Sequence, residues 1–366
     1  MSGHPSLEVG ARQSIYVIDG EAERVNKIRK ALGALYVLSP FTNGRAALDA
    51  MRKNNPDVVL VDEHTLRTQG GGVHRTKCTD NSLKHIPFII MSDTQSGPFI
   101  AGDGSGAADH FLKRPIRIEQ LVNRIDACVG QRVEQSWKAL PKPIGTALHD
   151  TLIQFDDIAK AVANNTPLDR KAVSASCNPL VACVQDDQHK LILKGLRDHS
   201  NYTYVHSMRV AVFMAVFAKA YNVSTDEMNQ LAIGGFLHDV GKMALSQQLV
   251  NKTGDLDKNE FSALREHAQF SQDIVQSIDG IHDAVRVIVE QHHERLDGSG
   301  YPNQLQGAQI NELGRMSAIA DTFATLTDIR PLKRAFAPNV AFAIMEQQPF
   351  ALDQRLVKLF RAAIED

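Results

Sequence analysis

The sequence predicts an N-terminal α/β domain followed by an all-α C-terminal domain. In the first third of the chain, short apolar segments alternate with amphipathic ones, a pattern typical of a parallel sheet covered by helices. From about residue 148 onward, apolar residues recur almost entirely with helical spacing. The length of 366 residues also exceeds what one ordinary domain needs and suits two or three.

Four short apolar segments of the N-terminal part are predicted strands. They span residues 14–18, 57–62, 86–91 and 110–113, and amphipathic helices are predicted over residues 21–32 and 118–128. In a parallel sheet the carboxyl ends of the strands lie at one edge, where functional groups gather. We therefore expect a group of polar side chains at that edge, namely Asp19, Asp62, Ser92 and Lys113.

A linker is predicted over residues 131–147, because Pro141, Pro143 and Gly145 interrupt the helical pattern. The two domains are accordingly placed at residues 1–130 and 148–366.

Two segments of the C-terminal domain show how its helices are arranged. Residues 205–221 are apolar on nearly every face, as expected of a helix at the centre of a bundle. The next helix is predicted over residues 225–237, because Ser224 and Glu227 have the spacing of a capping box. This helix leads directly into His238 and Asp239.

Composition excludes several classes of protein. A hydrophobic content of 43% and a charged content of 22% are typical of a folded globular chain. A net charge of −2 provides no general field for a nucleic-acid polymer. The apolar run at residues 210–218 is too short to span a membrane. The four cysteines form no paired motif and no leader peptide is evident, so we expect reduced thiols in a cytoplasmic protein.

Two clusters of histidine and carboxylate residues predict a metal-dependent active site. Residues 292–302 read HHERLDGSGYP, and residues 238–242 read HDVGK. Neutral imidazole and carboxylate together form the ligand set of hydrolytic metal centres. One His-Asp pair alone carries little weight, but two dense clusters favour a site with more than one metal ion.

These motifs resemble those of the HD-GYP family, within the HD phosphohydrolase superfamily. The resemblance covers roughly residues 191–343 and rests mainly on the eleven-residue run. Family members are bacterial signal-transduction enzymes that hydrolyse the second messenger cyclic di-GMP. The resemblance therefore implies a metal-dependent phosphodiesterase that acts on cyclic di-GMP or a related cyclic dinucleotide.

The resemblance also implies a set of metal ligands. One ion would be held by His206, His238, Asp239 and Asp321, and Asp239 would bridge to a second ion held by His267, His292 and His293. A set of nitrogen and oxygen donors without thiolate favours iron or manganese over structural zinc. Some members carry a glutamate that admits a third metal, but Tyr202 stands at that position and is a poor ligand. Two divalent ions are therefore expected, and the histidines outside the motifs, such as His189, His199 and His282, are expected at the surface.

The catalytic residues implied by the resemblance are Asp239 and Lys242. Lys242 would contact the phosphate or the leaving oxygen, although a cation that stabilises a helix end is an alternative. Arg330 and Lys333 would bind substrate phosphate, or else belong to a solvated charged run. Tyr301 would stack on a guanine base or pack the loop against the bundle.

Two departures from the family pattern predict reduced turnover. Leu332 replaces the usual tyrosine after Arg-Pro, and Ala324 replaces a usual aspartate. A lost hydrogen-bond donor to the transition state typically costs about two to three orders of magnitude in rate. The alternative function is that of a weakly active or inactive receptor, which binds a cyclic dinucleotide or a partner protein through the Gly-Tyr-Pro loop.

The N-terminal pattern resembles the receiver domain of two-component signalling, which has a flavodoxin-like fold. Asp62 takes the phospho-acceptor position, Ser92 the hydroxyl position and Lys113 the lysine position. Gly20 stands where receivers usually carry a second acid of the magnesium site. The absence of this acid predicts a degenerate receiver-like domain. The alternative is that the acids at the strand ends only cap the following helices.

Overall fold

The chain forms two compact units, one that ends at Gln135 and one that begins at Ser136. A computed structural model describes residues 12–69, 71–93, 110–250, 252, 254–329 and 335–365. Within these residues the first unit contains all the strands, and the second unit consists of helices and loops. This arrangement agrees with the predicted order of an α/β part followed by a helical part.

The first unit contains a sheet of five parallel strands in the order β2-β1-β3-β4-β5, which is the flavodoxin-like order. The strands are β1 (Ser14–Ile18), β2 (Val37–Phe41), β3 (Val58–Asp62), β4 (Phe88–Ser92) and β5 (His110–Lys113). The helices are α1 (Ala22–Leu32), α2 (Gly44–Asn54), α3 (Glu63–Gln69), α4 (Gly71–Thr79) and α5 (Ile118–Trp137).

Alternate residues of β1 enter two separate hydrophobic clusters. Ile15 and Val17 pack with side chains of α1 and α5, whereas Tyr16 and Ile18 pack with side chains of α2 and α4. Because successive side chains of a strand point to opposite faces, the helices cover both faces of the sheet.

The structure differs from the sequence predictions at two places in this region. Strand β2 was not predicted, because it contains Pro40 and is only partly buried at the edge of the sheet. The predicted linker at residues 131–147 is mostly helical, since α5 continues to Trp137 and α6 begins at Lys142, and the helical pattern is interrupted only at residues 138–141. Pro143 lies in the first turn of α6, where a missing N–H costs no helical hydrogen bond.

The second unit is a bundle in which α9 is the most deeply buried long helix of the described residues. Nearly all of its side chains from Tyr204 to Ala218 are buried. Its helices are α6 (Lys142–Ala163), α7 (Arg170–Gln185), α8 (His189–Leu196), α9 (Tyr202–Ala220), α10 (Thr225–Leu237), α11 (Gln247–Val250), α12 (Lys258–Gln276), α13 (Asp283–Gln291), α14 (Glu312–Thr327), α15 (Pro338–Glu346) and α16 (Gln354–Glu365). None of the described helices combines the length and hydropathy that crossing a membrane requires.

Helix α10 leads directly into the HDVGK motif at residues 238–242, which lies in the interior of the bundle. It starts at the predicted capping box, in which Ser224 and Glu227 bond each other's main chain, and it ends at Leu237 as predicted. Gly235 allows α10 to approach α9 closely, since a Cβ there would lie 2.8 Å from the Val210 carbonyl oxygen. The chain then enters a 3₁₀ turn, Val240–Ala244.

This 3₁₀ turn is docked on α12 through Gly241. Its main-chain N–H donates to Ser271 Oγ at 2.8 Å, and any side chain at Gly241 would collide with the His267 carbonyl. The glycine of the HDVGK motif therefore serves a close approach between two segments that both carry candidate ligands.

Candidate metal centre

Seven histidine and aspartate side chains from different parts of the bundle converge in its interior. They form two groups, and within each group the potential ligand atoms lie within 4.8 Å of one another. The groups are His206, His238 and Asp321, and Asp239, His267, His292 and His293. These are the seven residues for which the resemblance implies metal binding. Six of them are buried, and His293 is partly buried.

Asp239 lies between the two groups. Its Oδ2 atom is 3.4 Å from His206 Nε2 and 3.2 Å from His238 Nε2. Its Oδ1 atom is 3.1 Å from His267 Nε2 and 3.8 Å from His292 Nε2. Each oxygen of this one carboxylate therefore faces the imidazoles of a different group.

Main-chain carbonyls orient three of the imidazole rings. In each ring Nδ1 lies within 2.8 Å of a carbonyl oxygen three residues earlier, as seen for His238, His267 and His292. A carbonyl oxygen only accepts, so Nδ1 carries the hydrogen and, in the neutral ring, Nε2 has a free lone pair. That lone pair points toward Asp239, as a metal ligand requires.

His206 is oriented differently, by the carboxylate of Asp328. The distance from His206 Nδ1 to Asp328 Oδ2 is 2.7 Å. Asp328 also accepts a hydrogen bond from the Tyr202 hydroxyl at 3.2 Å and pairs with Arg209 Nε at 2.7 Å. This buried carboxylate was not among the predicted site residues, although it directly follows α14 and lies seven residues after Asp321 in the sequence.

Burial and neighbouring polar groups together set the charge of the site. Burial lowers the pKa of His292 to about 3, and the adjacent His238 adds to this effect, so His292 is neutral near pH 7. Burial alone would raise the pKa of Asp239, but Lys242 and His238 hold it well below its ordinary value. Burial likewise lowers the pKa of His206, yet hydrogen bonds to Asp321 and Asp328 raise it to about 9.

The residues fit divalent metal ions. Within the described residues, Asp239 Oδ1 and His292 Nε2 are buried without a hydrogen-bond partner, which is costly unless another group satisfies them. In addition, His206 Nε2 lies 3.3 Å from His238 Nε2, and His267 Nε2 lies 3.0 Å from His293 Nε2. Two imidazole nitrogens that face each other at these distances share either a proton or a metal ion, so the donor set suits metal binding with release of protons.

Comparisons with known proteins place this site in a family. Residues 190–356 match the HD domain family. The cyclic di-GMP phosphodiesterase response regulator RpfG of Xanthomonas campestris is 30% identical over 303 residues, which cover 82% of this chain and 74% of that protein. The chain belongs to the HD-GYP family.

Two other relatives are much longer than the region that they share with this chain. A cyclic di-GMP phosphodiesterase of Pseudomonas aeruginosa is 32% identical over 174 residues, or 48% of this chain and 42% of the relative. A 3'3'-cGAMP-specific phosphodiesterase of Vibrio cholerae is 35% identical over 149 residues, or 41% of this chain and 34% of the relative. This chain thus spans less than half the length of either relative.

The Gly-Tyr-Pro loop, or GYP loop, at residues 297–302 is held in place by buried Glu294. One of its carboxylate oxygens accepts from Asn303 N at 2.7 Å, and the other accepts from Leu305 N at 3.0 Å. Gly300 packs so tightly that a Cβ would lie 2.5 Å from Glu294 Cα, and Gly298 has a φ of +78°, which favours glycine. These contacts give Glu294 and both glycines a structural role.

The structure describes two of the four residues expected to bind substrate. Lys242 Nζ forms an ion pair with Asp239 Oδ2. The Tyr301 ring packs beside the His293 ring with centroids 4.5 Å apart, and the guanidinium of Arg265 lies over it at 4.2 Å. These contacts favour the packing role of Tyr301 over base stacking. Arg330 and Lys333, like Leu332, lie outside the described residues.

The N-terminal acids are neutralised by arginines. Both oxygens of Asp19 accept from Arg24 at 2.8 Å, and Arg24 Nη2 also lies 3.4 Å from Asp62. Arg114 Nη2 donates to Asp62 Oδ1 at 2.8 Å. A magnesium ion does not fit between Asp19 and Asp62 in this arrangement, because the Arg24 guanidinium bonds both carboxylates.

Other expected features of this region are arranged as follows. Asp62 accepts from Thr65 N at 2.9 Å, as the capping alternative requires. Asp19 accepts from Glu21 N at 2.9 Å, but Glu21 precedes α1, which has no side-chain cap. The Ser92 hydroxyl donates to Glu63, and Lys113 is exposed.

His189, His199 and His282 are absent from both candidate metal groups. His282 is exposed and caps α13. His189 is buried, which contradicts its expected surface position, and its place on the inner side of α8 explains the burial. His199 is partly buried, because its ring stacks on Trp137 with centroids 5.5 Å apart.

The contact between Asp328 and His206 generates a prediction. Changing Asp328 to Asn should weaken metal retention by about 10–100-fold, since the carboxylate orients His206 and raises its basicity. Metal content after timed dialysis against a chelator would measure this. Asp283→Asn, at an exposed aspartate, is the control, and equal retention in both variants would contradict the role of Asp328.

Proposed function

We propose that this protein is a metal-dependent cyclic di-GMP phosphodiesterase with a binuclear metal centre. The position of Asp239 carries the proposal, because its two oxygens face two separate groups of imidazoles. The names of two relatives support cyclic di-GMP as the substrate class. The cGAMP-specific relative supports the broader class of cyclic dinucleotides.

One ion would be held by His206, His238, Asp239 and Asp321, and the second by Asp239, His267, His292 and His293. The donors are nitrogen and oxygen atoms, which suit iron or manganese. When bound, such a pair of ions supplies the positive charge and the acidified water that phosphodiester hydrolysis requires. Tyr202 does not add a third site, since its hydroxyl donates to Asp328.

Lys242 is the proposed catalytic cation beside this centre. Its Nζ atom contacts Asp239 Oδ2 and lies at the end of a half-buried side chain. From there it can donate a proton from Nζ to the leaving oxygen or contact the phosphate.

The second candidate function is a weakly active or inactive receptor for a cyclic dinucleotide. Leu332 favours it, because leucine provides no hydrogen-bond donor where the family usually has a tyrosine. The GYP loop favours it too, because contacts of Glu294 and Gly300 hold the loop in one shape that a ligand or partner protein could bind.

For the N-terminal unit we propose a receiver-like domain that does not accept a phosphoryl group. The strand order supports the fold, and the arginines on Asp19 and Asp62 support the loss of phosphorylation. A cytoplasmic location is proposed with it, in keeping with four cysteines that form no disulfide.

The first prediction from this proposal concerns metal content. Elemental analysis of protein purified without oxygen should give two metal ions per chain, mainly iron or manganese. Asp239→Asn should lose most of both ions, because one carboxylate contacts both groups. A content of three ions, or loss of only one ion in the variant, would contradict the bridging role.

The second prediction concerns turnover. The metal-loaded protein should bind cyclic di-GMP and hydrolyse it slowly, and Leu332→Tyr should raise the rate by up to about two orders of magnitude. Single-turnover assays without oxygen would measure the rate, with Leu332→Phe as a control that adds the ring without the hydroxyl. Rapid hydrolysis by the unsubstituted protein, unchanged in Leu332→Tyr, would show that this position has no such role.

The third prediction concerns Asp62. Acetyl phosphate with magnesium should not phosphorylate the protein, and Gly20→Asp alone should not restore the reaction, because Arg24 still bonds both acids. The double variant Gly20→Asp/Arg24→Ala should gain phosphorylation, which mass spectrometry would detect. Asp62→Asn in that background is the control, and phosphorylation of the unsubstituted protein at Asp62 would refute the proposal.

A further inference from the structure

Arg265 is a positively charged side chain beside the metal centre that neither motif includes. It lies on α12, two residues before the candidate ligand His267. Its guanidinium carbon is 4.2 Å from the centroid of the Tyr301 ring and 5.9 Å from that of Phe261. The Tyr301 ring in turn lies 4.5 Å from the His293 ring, so Arg265 is one aromatic ring away from the candidate metal ligands.

The charge of Arg265 is not compensated by a carboxylate. In the described part of the chain it forms no ion pair and no hydrogen bond, and its guanidinium lies over two aromatic rings. Lys242, by contrast, is paired with Asp239, and Arg209 with Asp328. The N–H groups of Arg265 therefore remain available to a ligand, and its side chain is only half-buried.

The support beneath Arg265 is rigid. Tyr301 N donates to the His293 carbonyl at 3.2 Å, and Glu294 holds the loop on the far side of the Tyr-Pro pair. Arg265 itself rises from a regular helix. A guanidinium that is held over an aromatic face loses little freedom on binding, which increases affinity for an anion.

We propose that Arg265 binds the phosphodiester of a cyclic dinucleotide that is not being cleaved. The inference rests on the proposed function, since such a ligand carries two phosphodiesters and only one can lie at the metal centre. The Arg265 guanidinium has no carboxylate partner and lies one aromatic ring away from the centre. Its charge matches that of the second phosphodiester, and its fork of N–H donors matches the phosphate oxygens. Tyr301 is then the platform for Arg265, which explains why this ring packs against a cation.

A contact to phosphate, and not to a base, is favoured by charge. The ligand is a dianion, whereas Arg265 forms no ion pair within the described residues and its guanidinium lies over two aromatic faces. Phosphate recognition would be the same for cyclic dinucleotides with different bases. Recognition of guanine O6 and N7 by the fork would instead depend on the base.

The test compares ligands that differ in the number of phosphodiesters. Arg265→Met keeps an unbranched, flexible side chain on α12 but removes the guanidinium and its charge. With the metal-loaded full chain, the variant should raise the Kd and KM for cyclic di-GMP by about tenfold to hundredfold, the usual effect of losing a charged hydrogen bond. It should raise them similarly for 3'3'-cGAMP. Equilibrium dialysis with a phosphorothioate analogue of cyclic di-GMP gives the Kd without turnover.

Bis(p-nitrophenyl) phosphate, which has a single phosphodiester, is the internal control, and its kcat/KM should not change in Arg265→Met. Arg286→Met, at an exposed arginine of α13 that pairs with Asp283, is the matched control variant. An equal loss with bis(p-nitrophenyl) phosphate would overturn the assignment to the second phosphate. A rise in Kd for cyclic di-GMP that is absent for 3'3'-cGAMP would overturn it in favour of recognition of a guanine base.

The same measurements separate this inference from the proposed function. Binding of cyclic di-GMP by the unsubstituted protein, together with an unchanged Kd in Arg265→Met, would refute the role of Arg265 alone. Cleavage of bis(p-nitrophenyl) phosphate without binding of any cyclic dinucleotide would overturn the proposed substrate class and this inference together.

Discussion

The helical unit depends on the burial of Asp239 among five imidazole rings. A carboxylate that is withdrawn from water is costly unless cations or hydrogen-bond donors compensate it, and one of its oxygens has no hydrogen-bond partner among the described residues. The surrounding histidines come from α9, α12 and the ends of α10 and α13. These helices must therefore meet at one point, and metal binding there would also stabilise the fold that creates the site.

Close main-chain contacts make that meeting possible. Gly235 brings α10 against α9, and Gly241 brings the following turn against α12. Each glycine lies three residues from His238, so the segment that supplies two ligands also fits closely between its neighbours. Three of the imidazoles are oriented by main-chain carbonyls. Each carbonyl lies three residues before its histidine, on the helix that contains the histidine or ends at it. Ligand direction is thus a consequence of helix geometry.

Local patterns predicted much of this arrangement, and tertiary contacts account for what was missed. The limits of α10 followed from the capping box at Ser224 and from the motif at its end. Strand β2 was missed because an edge strand with a proline has no strong local signal. Asp328 and Arg265 were missed because their importance depends on partners far away in the sequence, His206 and Tyr301. Pro143 misled the interpretation because proline interrupts a helix interior yet suits its first turn.

The two units show how the same problem, a buried pair of aspartates, is compensated in different ways. Around Asp239 and Asp321 the neighbours are mainly imidazoles, whose Nε2 atoms can bind a metal ion. Around Asp19 and Asp62 the neighbours are arginines, which bring the positive charge and the hydrogen-bond donors themselves. The first arrangement suits a metal ion. In the second, arginine N–H groups contact the carboxylate oxygens that a metal ion would need. The chemical nature of the residues beside each acid, and not the acids alone, therefore separates a candidate catalytic centre from a closed ion-pair network.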